Sequence, residues 1–131
     1  MIRVLVVDDY EPWRRFVRSM VQTHSELQIV GEVSDGLEAV QRAQELLPNL
    51  ILMDIGLPRL DGIEAARRIQ QVVPNARILF TSQNEDADVV SAALNSGAHG
   101  YVIKADAKQE LLPAIEAVIR GSRFVSKRLK R

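Results

Sequence analysis

The chain has 131 residues, 47% hydrophobic and 26% charged, with 17 basic and 17 acidic side chains and no cysteine. That is enough apolar material for one domain with one core; the balanced charge gives no global argument for nucleic acid or an anionic membrane, and the lack of thiols excludes disulfides, thiolate metal sites and cysteine catalysis. The apolar run within MIRVLVVDD is too short for a secretory signal, and no run approaches the roughly 20 residues that span a bilayer, so a cytoplasmic domain is expected.

Ile2 to Val7 is a near-continuous aliphatic run, the pattern of a parallel strand covered on both faces, and it ends in Asp8-Asp9. Pro12 suits a first helical turn. Trp13, Phe16, Val17, Met20 and Val21 recur at helical spacing and predict a helix over Glu11–His24. Leu27 to Val33 predicts a second strand, with Gly31 marking a bulge or a close approach. Asp35, with Glu38 three residues on, resembles a capping box. The helix it opens turns Leu37, Val40, Ala43 and Leu47 inward and stops before Pro48. Leu50 to Met53 reads as a buried third strand with Asp54 at its end, followed by a break at Gly56 and Pro58.

Asp61 caps a third helix with Ile63, Ala66 and Ile69 buried. Arg77 to Thr81 is the fourth strand, Ser82-Gln83-Asn84 a polar loop, and Glu85 to Ser96 a helix ended by Gly97. Gly100 to Ile103 is the fifth strand and runs into Lys104. Asp106 caps the last helix, which shows Leu111, Leu112, Ile115, Val118 and Ile119 and stops at Gly121. The domain therefore spans 1–121. Residues 122–131 read as the start of a linker and a mobile basic tail, Lys127-Arg128-Leu129-Lys130-Arg131.

Strand and helix alternate five times. That pattern predicts an α/β fold: a doubly wound parallel sheet with helices on both faces and right-handed crossovers. The flavodoxin-like (βα)5 arrangement, strand order 2-1-3-4-5, is the common solution at this size, with its crevice beside the first and third strands.

The carboxyl ends of the strands carry Asp8 and Asp9, Asp54, Ser82 beside Thr81, and Lys104. In the predicted order these groups converge. Three packed carboxylates repel one another unless a cation compensates. Hard oxygen ligands with few protein contacts suit Mg²⁺, which keeps waters and accepts a phosphate oxygen. A lysine charge and a serine donor complete what phosphoryl transfer to a carboxylate needs. Read alone, Asp8-Asp9 equally suits the cap of the first helix.

These residues resemble a response-regulator receiver domain of two-component signalling, a CheY-like domain, over essentially the whole chain. The acid pair, Asp54 followed by LPRLDG, the Ser82 strand end and GYVIK around Lys104 carry the resemblance jointly. The ending GYVIKADAKQELLPAIEAVIRGSRFVS resembles the NarL/FixJ subfamily, whose members usually carry a helix-turn-helix domain after the receiver. The resemblance implies that a sensor histidine kinase phosphorylates Asp54. It implies that Asp9, Asp54 and the backbone carbonyl of Gly56 bind Mg²⁺, with Asp8 acting through water. Lys104 would pair with the phosphoryl group, and Ser82 and Tyr101 would form the switch. A phosphoryl group would draw the Ser82 hydroxyl inward and free space for Tyr101 to bury its ring. Thr81 would point to the other face of its strand. Homodimerisation on phosphorylation and DNA binding only through an effector domain absent from this chain are further implications.

Two positions depart from the family pattern. Ala105 stands where many receivers have proline, and Gly56 offers no side chain beside the acceptor. Three bland readings accompany the site: His24 and His99 are isolated surface residues, Trp13 and Phe16 pack a helix, and the basic tail is solvated. A flavin-binding domain on the same architecture lacks its Gly-rich loop here. An aspartyl phosphatase would separate its first-strand acids by one residue, whereas Asp8 and Asp9 are adjacent. A pseudo-receiver that only docks partners stays open.

Overall fold

A computed structural model describes residues 1–130, so Arg131 of the expected tail lies outside the described residues. The elements are β1 (Ile2–Val7), α1 (Glu11–Val21), β2 (Leu27–Val33), α2 (Gly36–Leu46), β3 (Leu50–Met53), α3 (Gly62–Val72), β4 (Arg77–Ser82), α4 (Ala87–Leu94), β5 (Gly100–Ile103), α5 (Ala107–Ile119) and β6 (Phe124–Val125). They form a doubly wound α/β domain around one parallel sheet of six strands, ordered β2-β1-β3-β4-β5-β6. The five strands expected from the sequence stand in the expected order, and a sixth closes the far edge.

Alternation along each strand divides the core. Val4, Val6, Leu50, Leu52, Leu79 and Val102 pack with Trp13 and Val17 of α1 and Leu111 and Ile115 of α5. Leu5, Val7, Ile51, Met53, Phe80 and Tyr101 pack on the opposite face with Ala39, Ala66 and Val90 of α2, α3 and α4. Both faces are dry, so the central strands read as continuous apolar runs. Each fully buried Leu, Ile or Val contributes about 1.5–3 kcal/mol.

Gly31 serves both expected purposes. The β1–β2 register slips between Val4 opposite Ile29 and Leu5 opposite Gly31, leaving Val30 as the extra residue. A Cβ on Gly31 would also lie 2.9 Å from Cδ1 of Leu46. Gly62 matters more to the site. A Cβ there would stand 2.0 Å from the carbonyl oxygen of Asp54, and the Gly62 amide bonds the Ile55 carbonyl at 2.7 Å. Only glycine lets α3 start this close to the end of β3.

Four local expectations need correction. Helix α1 ends at Val21 rather than His24, and α4 is shorter than expected, with the Asp86 side chain accepting from the amides of Asp88 and Val89. In α2 the buried residues are Gly36, Ala39 and Ala43, while Leu37 and Leu47 are exposed. Small residues let α2 lie close to its neighbours, and Leu47 sits beyond the last turn at φ +47°. Asp106 makes no side-chain cap. Lys104–Asp106 form a 3-10 turn instead, and the Asp106 carboxylate accepts from Arg128 Nε at 2.7 Å and Nη2 at 2.8 Å. No cis peptide occurs among the described residues.

The linker reading of residues 122–131 also gives way over 124–130. Gly121 turns the chain at φ +92°, and Phe124 and Val125 pair with Gly100 and Tyr101 of β5. Ser126 is fully buried. Its amide donates to the Tyr101 carbonyl at 2.9 Å, its Oγ accepts from the Ile103 amide at 2.8 Å, and the hydroxyl donates to Glu110. Leu129 packs against the core, and Arg128 reaches Glu85 at 3.1 Å as well as Asp106. An open β5 edge would expose a row of unpaired amides and carbonyls. The returning chain satisfies them with two strand residues and one serine.

His99 is half-buried rather than a surface residue. Its Nδ1 accepts from the Ile78 amide at 3.1 Å, and its own amide donates to the Ile78 carbonyl at 2.7 Å. Burial, then the nearby Arg77 and Arg123 charges, push its ring below the usual imidazole range.

Ser126→Ala should lower stability by about 2 kcal/mol, because it leaves the Ile103 amide and the Glu110 carboxylate without their partner. Urea unfolding measures this. The fold favours neutral His99, so the unfolded chain binds more protons as acid is added. The stabilisation is complete above about pH 6.5 and is lost as pH falls from there toward the lowered value. Urea midpoints at about pH 7.5 and about pH 5.5 should fall more for the wild type than for His99→Gln.

Candidate functional site

The strand ends bring the expected groups together. Asp8 continues the alternation of Val4 and Val6 and is fully buried. Its Oδ1 accepts from the Tyr10 amide at 2.9 Å and its Oδ2 from Lys104 Nζ at 2.7 Å. Arg14 donates to its backbone carbonyl. Asp54, partly exposed, follows Met53, which is in register with Val7 of β1. Its Oδ1 accepts from the Ile55 amide at 2.7 Å, and its Oδ2 lies 3.3 Å from Lys104 Nζ. Asp9 is exposed. One carboxylate oxygen from each of Asp8, Asp9 and Asp54 falls within 4.8 Å of the others.

An open cleft of about 540 Å³ lies over them, lined by Asp9, Tyr10, Asp54, Gly56, Ser82 and Lys104 among others. Asp8 lies beneath it. Gly56 faces open space, with nothing within 4 Å of where a Cβ would stand. Ser82 Oγ accepts from the Asn84 amide at 3.0 Å. Thr81 is fully buried, and its hydroxyl has no partner among the described residues.

Burial holds the Asp8 carboxyl above its usual range, while the bonds from Lys104 and the Tyr10 amide oppose that shift. The donor set suits a hard divalent cation. All the groups are carboxylate oxygens, both Asp8 oxygens already have partners, and Asp9 and Asp54 face the cleft.

Tyr101 is placed differently from the expectation. Its ring is already fully buried, tilted against Phe80 at 6.3 Å between centroids, and its hydroxyl donates to the Asn84 carbonyl at 2.7 Å. Burial raises its phenol above the usual range. Two neighbours escaped sequence reasoning. Asn84 acts through its backbone carbonyl, which no residue type announces. Trp13, read as packing, also sets its ring 4.9 Å from Lys104 Nζ. Its position one turn beyond the acid pair was the available signal.

The family model for the response regulator receiver domain matches residues 4–116. The chain belongs to this family. The receiver is 34% identical to the response regulator GacA of Pseudomonas viridiflava over 126 residues, 96% of this chain and 59% of that protein. It is 36% identical to the transcriptional regulatory protein LiaR of Bacillus subtilis (strain 168), covering 92% of this chain and 57% of the relative. The receiver thus spans less than two thirds of these relatives. Among solved structures it is similar to a two-component response regulator of the LuxR family from Aurantimonas sp. SI85-9A1. That match has a TM-score of 0.93 at 34% identity, covering 98% of this chain and 92% of that one. The receiver fits the NarL/FixJ type. Among its described residues no helix is long and apolar enough to cross a membrane.

Lys104→Met should lower the receiver's stability by about 3 kcal/mol near neutral pH, because it strands the buried Asp8 charge. The loss should shrink in acid, where Asp8 becomes neutral, and should be smaller when Asp8→Asn is already present. Urea unfolding of the four proteins across pH measures both.

Proposed function

We propose that the receiver accepts a phosphoryl group on Asp54 from a sensor histidine kinase in the cytoplasm, catalysing its own phosphorylation and dephosphorylation. One observation carries the reading: Asp54 both opens on the cleft and lies 3.3 Å from Lys104, whereas Asp8 is buried with both oxygens bonded. A carboxylate oxygen of Asp54 attacks the donor's phosphorus, and the bond to the departing imidazole breaks. Lys104 then exchanges Asp54 for a phosphoryl oxygen while keeping Asp8. Ser82 has an O–H to offer on the other side of the cleft. Asp9 and Asp54, with the Gly56 carbonyl, would hold Mg²⁺, and Asp8 would act through water. The ion would neutralise charge developing on the phosphoryl oxygens. With Gly56 offering no side chain there, water meets no obstacle at that wall of the cleft.

Phosphorylation then acts on the Ser82–Asn84 segment, which holds the Tyr101 hydroxyl, and so on the face made by α4, β5 and α5. Homodimerisation and control of transcription through an effector domain would follow from that change. Similarity to the transcriptional regulatory proteins YdfI and LiaR of Bacillus subtilis supports this reading.

Acetyl phosphate with Mg²⁺ should add one phosphoryl group to the wild type by intact mass and none to Asp54→Asn. Asp9→Ala should stay folded and lose labelling. Full labelling of either variant would overturn the assignment.

A further inference from the structure

Trp13 stands in the first turn of α1, is 8% exposed, and is the chain's single tryptophan. The ammonium of Lys104 lies 4.9 Å from its ring centroid, 2.7 Å from Asp8 and 3.3 Å from Asp54. It is bounded by two carboxylates and one aromatic face. A lysine on a flexible four-carbon stem explores many rotamers. A cation within about 6 Å of an indole is attracted to it, more strongly when desolvated, and indole serves better than phenyl.

Packing alone does not account for an indole here. Its Nε1 is buried with no hydrogen-bond partner among the described residues. That carries a cost which phenylalanine at the same place would avoid. No bond from the indole nitrogen aims the ring. It is placed by Phe16, 5.1 Å away between centroids, and by the core between α1 and α5. What the indole adds over a phenyl ring is a larger negative face, and Lys104 lies near it.

We propose that Trp13 is a positioning residue for phosphoryl transfer. Its ring holds the Lys104 ammonium between Asp8 and Asp54, so that the charge already stands where the phosphoryl oxygens arrive. This rests on the reading of Asp54 as acceptor.

The test measures labelling rates with acetyl phosphate and Mg²⁺ by intact mass, together with tryptophan emission and urea stability. Trp13→Leu should be labelled about 10-fold more slowly and Trp13→Phe about 3-fold more slowly. Trp13→Phe should be at least as stable as the wild type, which separates positioning from folding. In a Lys104→Met background, Trp13→Leu should slow labelling no further. Emission should change on Lys104→Met, and on adding beryllofluoride with Mg²⁺ to the wild type. Equal labelling rates for wild type and Trp13→Phe, or emission unmoved by Lys104→Met, would overturn the proposal. If Trp13→Leu does not fold, the phenylalanine variant and the emission comparison still decide. A wild type that takes no label overturns the reading of Asp54, while emission still reports whether Trp13 holds Lys104.

Discussion

One ammonium satisfies two carboxylates that the sheet forces together. β1 and β3 are neighbours in register, so the residues that follow them, Asp8 and Asp54, end side by side. Asp8 is fully buried there. The cation comes from β5, beyond β4, about 10 Å from β3 and about 14 Å from β1 by strand spacing. Only a long side chain spans that gap, and Lys104 crosses the end of β4, where Thr81 and Ser82 are small. The strand order, the short residues closing β4 and the length of the lysine are therefore one constraint. Altering any of them separates the charges.

The same strand that delivers Lys104 carries Tyr101, which ties the site to the far edge of the sheet. The Tyr101 hydroxyl bonds the Asn84 carbonyl, and its backbone carbonyl takes the Ser126 amide. Glu85, next to Asn84, meets Arg128. The loop after β4 and the chain after α5 thus share two connections. They are unequal. The Glu85–Arg128 pair is exposed and contributes little. Ser126 is buried, and its hydroxyl serves an amide and a carboxylate together, so it resists displacement. The buried link through Tyr101 and Ser126 is therefore firmer than the surface pair.

Much of this was legible because strand ends and continuous apolar runs are local signals. Leu50–Met53, Leu27–Val33 and Gly100–Ile103 begin and end where the sequence puts them, since a Gly, Pro or Asp stands within a few residues of at least one end of each. Asp8, Asp54, Ser82 and Lys104 converge as expected because strand order alone decides which ends meet. What stayed hidden depends on contacts distant in sequence. Ser122 to Lys130 has no periodicity, and its role as an edge follows only from the unpaired side of β5. Asp106 looked like a cap until Arg128, 22 residues away, took its carboxylate. From sequence, Tyr101 is expected to bury its ring only when a phosphoryl group frees space, because a strand aromatic gives no sign of the carbonyl that will accept its hydroxyl.

The acid pair shows how far a motif goes before the fold must decide. In the sequence, composition and strand pattern alone leave Asp8 and Asp9 interchangeable, and only the family resemblance gives them different roles. The strand's period separates them: one side chain follows Val4 and Val6 to the α1 and α5 side, and the next turns out to solvent. The buried acid stands over an apolar core, where its charge is costly unless paired. Lys104 and the Tyr10 amide pair it. Among the described residues the exposed acid has no such bonds, and it faces the cleft. One carboxylate therefore anchors the lysine and the other remains open to a ligand. A hydrophobic residue in place of Asp8 would remove the burial cost, but it would also release the ammonium that lies beside Asp54, so under the proposed function stability and chemistry conflict at this residue.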